Sequence, residues 1–195
     1  MGTKQLWVLA GGNGAGKSTF YRTFLLKRGL PFVNADEIAK ELEGDLGERN
    51  RKAALHAESL RYEMLEEGIS FCFETVFSHP SKIDILAFAK ARGYKITLVY
   101  IHLSSTELNE ARVHQRVTEG GHHVAVEKIH SRIPRTLRYI AQALPLADEV
   151  RLLDNSSRKQ PFQQVAMVKK GNVVPFVSPL PDWAKSILAG SPSSS

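Results

Sequence analysis

Three features of the chain predict an α/β fold with a parallel sheet covered by helices on both faces. Strand and helix patterns alternate, the strands lack polar alternation, and a glycine-rich loop joins the first strand to the first helix. KQLWVLA reads as the first strand, LPFVNA as a short second, SFCFETV as the third, YKITLVYIHL as the fourth and EVRLLDN as the fifth. β-branched and aromatic residues dominate them, as in strands buried on both faces. Helical patterns lie between, at 17–28, about 49–67, about 81–92 and 106–118. Gly29, Gly68 and Gly93 follow three of these, where C-terminal caps belong. Repeated β-α-β units give parallel strands.

After Asp154 the texture changes. NSSRKQP is a loop, and FQQVAMV with VVPFV reads as a hairpin turning at Gly171-Asn172. Asp182 stands where it would cap a short helix, WAKSILA. The expectation is a single domain over residues 1–185, with its core at 4–157, the hairpin and short helix at 158–189, and a disordered serine-rich tail at 190–195.

With 195 residues, the chain is long enough for one sizeable core. Hydrophobic content of 43% and charged content of 24% are those of a soluble globular protein. No apolar run reaches the roughly 18 residues that span a bilayer, and no basic-then-apolar leader opens the chain, so a cytoplasmic protein without a membrane partner is expected. The single cysteine, Cys72, sits in an apolar run and reads as a core residue. A net charge of +6 suggests an anionic partner. Nucleotide phosphates would satisfy it, and the scattered basic residues argue against a dedicated nucleic-acid surface.

Gly11, Gly12, Asn13, Gly14, Ala15, Gly16, Lys17, Ser18 and Thr19, written GGNGAGKST, contain G-x-x-x-x-G-K-[ST] between a strand and a helix. This is the P-loop pattern. Its glycines let backbone N–H groups turn inward around phosphates, and the helix adds its positive end. Lys17 can reach the β- and γ-phosphates of ATP, and Ser18 can hold Mg²⁺. A GTPase would carry N-K-x-D, and a transporter ATPase a long signature segment; the chain has neither. A compact kinase remains, and it needs an acceptor base, a pocket and a mobile basic lid.

Asp36, after the second strand, is placed to take a proton from an acceptor hydroxyl. It could instead cap the helix DEIAKEL, a role that Asn34 can also fill. Glu74 and Thr75 end the third strand, where they could bind an acceptor or orient a metal-bound water. His79 follows as a further candidate contact or a solvated loop residue. Arg112 and Arg116 share a helix face, and Arg132, Arg135 and Arg138 recur every three residues beyond the hinge TEGGHHV. Arg116 and Arg132 are the first choices for the transferring phosphoryl group. His122 and His123 lack the convergent partners that zinc requires, so His122 reads as a substrate contact. Asn155, just past the fifth strand, stands where this fold often touches adenine.

The segments GGNGAGKST, FVNADEI, FCFETVFS, ARVHQRVTEGGHHV, IHSRIPRTL and RLLDNSS together resemble the short zeta-toxin-like P-loop kinases, over roughly residues 4–157. The resemblance implies a P-loop NTPase three-layer sandwich with a five-stranded parallel sheet in the order 2-3-1-4-5. It implies ATP-dependent phosphorylation of a UDP-activated amino sugar, chiefly the 3′-hydroxyl of UDP-N-acetylglucosamine, and a small helical antitoxin as partner. The family's acceptor-side aspartate falls on Asp36, its strand-end glutamate on Glu74, its loop lysine on Lys17 and one lid arginine on Arg116. The work of the second arginine falls to His122, Arg132 or Arg135, and Val76 replaces a threonine common in relatives. Another nucleotide, a nucleoside or an RNA end as acceptor, or a nucleotide-dependent binding module with slow ATPase activity, are the alternative readings.

Overall fold

The computed structural model describes residues 2–104, 112 and 126–190. The sheet is built around β1 (Gln5–Ala10), which lies between β3 (Phe71–Thr75) and β4 (Lys95–His102). β2 (Phe32–Val33) pairs outside β3, and β5 (Glu149–Asp154) outside β4. These five strands are parallel in the order 2-3-1-4-5. The hairpin β6 (Gln163–Lys169) and β7 (Asn172–Pro175) continues the same sheet antiparallel to β5, giving seven strands and a mixed sheet.

From Leu6 to Ala10, every residue of β1 is buried. One face of the sheet packs Leu6, Val8, Phe71, Phe73, Ile96 and Leu98 into the larger core. The other packs Trp7, Leu9, Cys72, Val99 and Ile101 against Phe20 and Leu25. Burial on both faces explains why these strands read as continuous apolar runs.

Local chemistry sets the element ends. α1 (Lys17–Phe20) continues through a wide turn at Tyr21–Leu25 and a tight one at Leu26–Arg28, and stops at Gly29 with φ 66°. β2 is shorter than LPFVNA suggests: Asn34 leaves the ladder to cap α2 (Ala35–Lys40). α3 (Leu46–Glu67) starts three residues before the expected Arg49, because the Asp45 carboxylate accepts from the N–H groups of Gly47 and Glu48. α4 (Ser81–Ala91) follows β3, and α5 (Val126–Ala143) runs through Pro134. The hairpin turns one residue earlier than Gly171-Asn172. Lys170 (φ 51°) and Gly171 (φ 80°) form the two-residue turn, and Asn172 already pairs with Lys169. Asp182 does not cap α6 (Asp182–Leu188); extended Pro181 stands at the cap position, and Asp182 pairs with Lys185 at 2.8 Å in the first turn. The helix expected at 106–118 lies outside the described residues except for Arg112.

Candidate active site

The carboxyl ends of the parallel strands form the site, as expected in an open α/β sheet. β1 runs into the loop of residues 11–16. A Cβ at Gly11 (φ 149°) would stand 2.4 Å from the carbonyl oxygen of Ile101, so the loop is seated against the end of β4 as only glycine allows. Lys17 is 8% exposed, and its Nζ donates to the carbonyls of Gly11 and Gly12 at 3.0 Å each.

The register of β1 with β3 sets Leu9 opposite Glu74 and Ala10 opposite Thr75. Glu74 Oε2 accepts from Ser18 Oγ at 2.6 Å. The carboxylate thus stands beside the hydroxyl expected to hold a metal. Mg²⁺ favours this donor set: one or two hard protein oxygens, the other positions being left to water and phosphate. Among the described residues, no group of three or more His, Cys, Asp or Glu is arranged to hold a metal by itself. The Thr75 hydroxyl accepts from the N–H of Phe77, a buried residue held at φ 62°.

α5 is fixed to the site by a residue that motif reading passed over. Buried Thr136 donates from Oγ1 to the carbonyl of Val76 at 2.9 Å, just past β3. One turn earlier, half-buried Arg132 reaches Asn13 of the loop, Nη1 to Oδ1, at 3.4 Å. Burial, and secondarily Arg135, lower the Arg132 pKa, though a guanidinium stays charged. Arg135 is exposed and donates to the carbonyl and hydroxyl of Ser131 on its own helix. Exposed Arg138 lies against Tyr139. The structure therefore brings Arg132 to the phosphate loop and leaves Arg135 on its own helix. Arg116, His122 and His123 lie outside the described residues.

On the acceptor side, the Asn34 Oδ1 accepts from the N–H of Asp36 at 2.8 Å, so the cap of α2 is Asn34 and not the Asp36 carboxylate. Asp36 sits half-buried in the first turn. His79 is exposed; its Nδ1 accepts from the N–H of Ser81 at 3.3 Å and closes the turn before α4.

A cleft of about 470 Å³ opens from the loop, lined by Gly14, Gly16, Lys17, Ser18, Thr19 and Glu74 on one side. Arg22, Arg112, Asn155, Ser157, Arg158, Pro161 and Phe162 complete it. Arg112 donates to the Asn155 carbonyl at 2.9 Å; burial, then the charge of Arg158, lowers its pKa. Arg22, Arg158 and Phe162 belong to no motif, and only the folded sheet gathers them.

A strand, a glycine loop closing on a buried lysine, and a hydroxyl paired with a strand-end carboxylate define a P-loop nucleotide-binding protein. A family model described as an AAA domain (AAA_33) matches residues 6–135, and the chain belongs to that family. It is 31% identical over 142 residues, 66% of this chain and 97% of the other, to an uncharacterised protein of Haemophilus influenzae. Among solved structures, AvrRxo1-ORF1:AvrRxo1-ORF2 with sulphate ions superposes with a TM-score of 0.74 at 18% identity, covering 99% of this chain and 66% of that one. The PezAT chromosomal toxin–antitoxin system of Streptococcus pneumoniae gives 0.65 at 16% identity, over 97% of this chain and 85% of that one. These likenesses define the fold. Among the described residues, no helix is long and apolar enough to cross a membrane.

Proposed function

We propose that this chain is an ATP-dependent kinase of the zeta-toxin type, cytoplasmic, and the toxin of a toxin–antitoxin pair with a small helical antitoxin. Its proposed acceptor is a hydroxyl of a UDP-activated amino sugar, with the 3′-hydroxyl of UDP-N-acetylglucosamine as first choice. The observation that carries the reading is the convergence of three groups on one loop: Lys17 inside it, Glu74 on Ser18, and Arg132 on Asn13. An arginine brought to the loop from α5 stands where it could stabilise charge on a transferring phosphoryl group. The kinship in fold with PezAT, and with AvrRxo1-ORF1:-ORF2 solved with ATP (TM-score 0.72, 19% identity, 99% of this chain and 66% of that one), supports it.

In this reading Lys17 leaves the Gly11 and Gly12 carbonyls for the β- and γ-phosphates. Ser18 and Glu74 would hold Mg²⁺, which would supply charge neutralisation for the phosphates. Asp36 accepts the proton of the acceptor hydroxyl as its oxygen bonds to the γ-phosphorus and the bridging β–γ bond breaks, releasing ADP. Arg132 stabilises charge on the transferring oxygens. Of the two roles that the sequence offers Glu74, binding the acceptor or orienting a metal-bound water, its bond to Ser18 supports the metal side. Thr75, His79, His122 and Arg135 remain proposed acceptor contacts, and Arg116 the other lid arginine.

The test is transfer of labelled γ-phosphate, with Mg²⁺, into UDP-sugars, nucleosides and short RNAs, beside an Asp36→Asn control. Label in UDP-N-acetylglucosamine that disappears in the control is the expected result. Label in free phosphate alone, unchanged in the control, would remove the kinase reading in favour of a nucleotide-dependent binding module.

A further inference from the structure

We propose that Asn155 is a positioning residue: it sets the shape of the phosphate loop and of the aromatic wall beside it, and does not read the nucleotide base. The inference rests on the reading that the loop binds a nucleoside triphosphate.

Asn155 is 7% exposed, and its contacts run to four parts of the site. Its Nδ2 donates to the carbonyl of Ala15, inside the loop, at 2.9 Å, across 140 residues of sequence. Its Oδ1 accepts from the N–H of Phe162 at 3.2 Å. Its backbone N–H donates to the His102 carbonyl at the end of β4, at 2.9 Å. Its own carbonyl accepts from Arg112. With both ends of the amide engaged by the protein, its plane is fixed against the loop.

Two further observations show how close that packing is. A Cβ at Gly16 would meet Nδ2 at 2.6 Å and the Phe162 ring at 3.4 Å, so Gly16 is the residue that lets the brace lie against the loop. Phe162 holds φ 56°, a region that bulky L residues rarely occupy. Backbone in such a region persists only where its surroundings over-determine it, and the Asn155 acceptor is one of those constraints. The ring is thereby set edge-on to Phe20 and Phe24, at centroid distances of 5.4 and 5.8 Å, along the wall of the cleft. One amide thus fixes the loop carbonyl on one side and the aromatic wall on the other.

The two roles separate by ligand. A base reader changes the choice between ATP and GTP and leaves inorganic tripolyphosphate untouched. A loop brace affects all three alike. The experiment is calorimetric titration of the full chain, with Mg²⁺, using ATP, GTP and tripolyphosphate. The variants are Asn155→Ala and Asn155→Leu, with Val168→Ala as a control that loosens the core at β6, away from the cleft.

In Asn155→Leu, a neutral side chain of similar size can neither donate to the Ala15 carbonyl nor accept from the Phe162 N–H. The expected result is a loss of affinity of tenfold or more, equal for the three ligands within about twofold, and an unchanged ATP:GTP ratio. Asn155→Leu keeps the side chain's size, adds no charge beside the phosphates, and carries the test where Asn155→Ala does not fold. A changed ATP:GTP ratio with tripolyphosphate binding intact would overturn the proposal in favour of base reading. Unchanged affinities would overturn it outright. So would an equal loss in Val168→Ala at the same fall in melting temperature, which would mark general destabilisation. If the unaltered chain bound none of the three, the nucleotide reading itself would fall, and the brace with it.

Discussion

The parallel and antiparallel halves of the sheet differ in what surrounds them. β1 and β4 are buried almost end to end, and their carboxyl ends support the phosphate loop. β7 is exposed at all four positions, with Val173 and Val174 open to solvent at 41% and 43%. β6 stands between, with Val165, Ala166 and Val168 in the core. The candidate site gathers at the ends of the strands that are buried on both faces. The antiparallel extension covers the β5 edge, and the cleft takes Ser157, Arg158, Pro161 and Phe162 from the connection before β6. Substitutions on either side of β5 test this difference.

The largest effects are expected at the loop and at the proposed acceptor base. Lys17→Ala is expected to lower kcat/KM about 1,000-fold, as loss of a preorganised cation on the transferring group does. Asp36→Asn is expected to cost about 100- to 10,000-fold in kcat, the range of a general base. Steady-state kinetics with the labelled acceptor checks both, and near-normal turnover in either variant would detach the chemistry from the parallel half.

Gly11→Ala puts a methyl 2.4 Å from the Ile101 carbonyl at φ 149°. The loop or β4 must shift, at a cost of about 3 kcal/mol, which in a chain of this size lowers the melting temperature by about 10 °C. A thermal melt without loss of stability would mean that the loop is not seated on β4.

His102, at the end of β4, is 8% exposed. It stacks on Trp183 at 4.4 Å and meets the Tyr100 hydroxyl at 3.1 Å, and burial lowers its pKa to about 4, against a smaller opposite pull from Asp154. Between that value and about 6.5 the unfolded chain binds the extra proton, so this residue's contribution rises with pH and is lost as pH falls from about 6.5 toward 4. The loss amounts to at most about 3 kcal/mol. Denaturant midpoints at pH 7 and pH 4.5 measure it, and His102→Phe should flatten the difference; an equally steep fall in that variant would place the pH dependence elsewhere.

The smallest effect is expected in the hairpin. Val174→Thr on exposed β7 should change stability by less than about 0.5 kcal/mol and leave nucleotide affinity alone. A loss of a few kcal/mol by denaturant titration would erase the contrast between the two halves.

What could be read from the sequence follows the range of the interactions involved. The strands, the loop and most helix ends were legible because apolar runs, glycines and caps act over a few residues. The hairpin turn came out one residue late because Lys170 adopts a positive φ that its side chain does not announce. The bond between Glu74 and Ser18 was hidden, since the two lie 56 residues apart and only the β1–β3 register brings them together. Thr136 and Phe162 carried no signal at all. A threonine in a helix and a phenylalanine after proline gain their roles only from the Val76 carbonyl and the Asn155 amide.

The two bonds from Lys17 to its own loop also bear on how a ligand arrives. A long flexible side chain normally loses rotamer freedom when it grips an anion. Here the ammonium is already held at 3.0 Å by two carbonyls within the loop that the phosphate would enter. Docking is therefore a change of partner for a charge that folding has already immobilised. Affinity at this site should depend on how well phosphate outcompetes two peptide oxygens, more than on how much motion it must quiet.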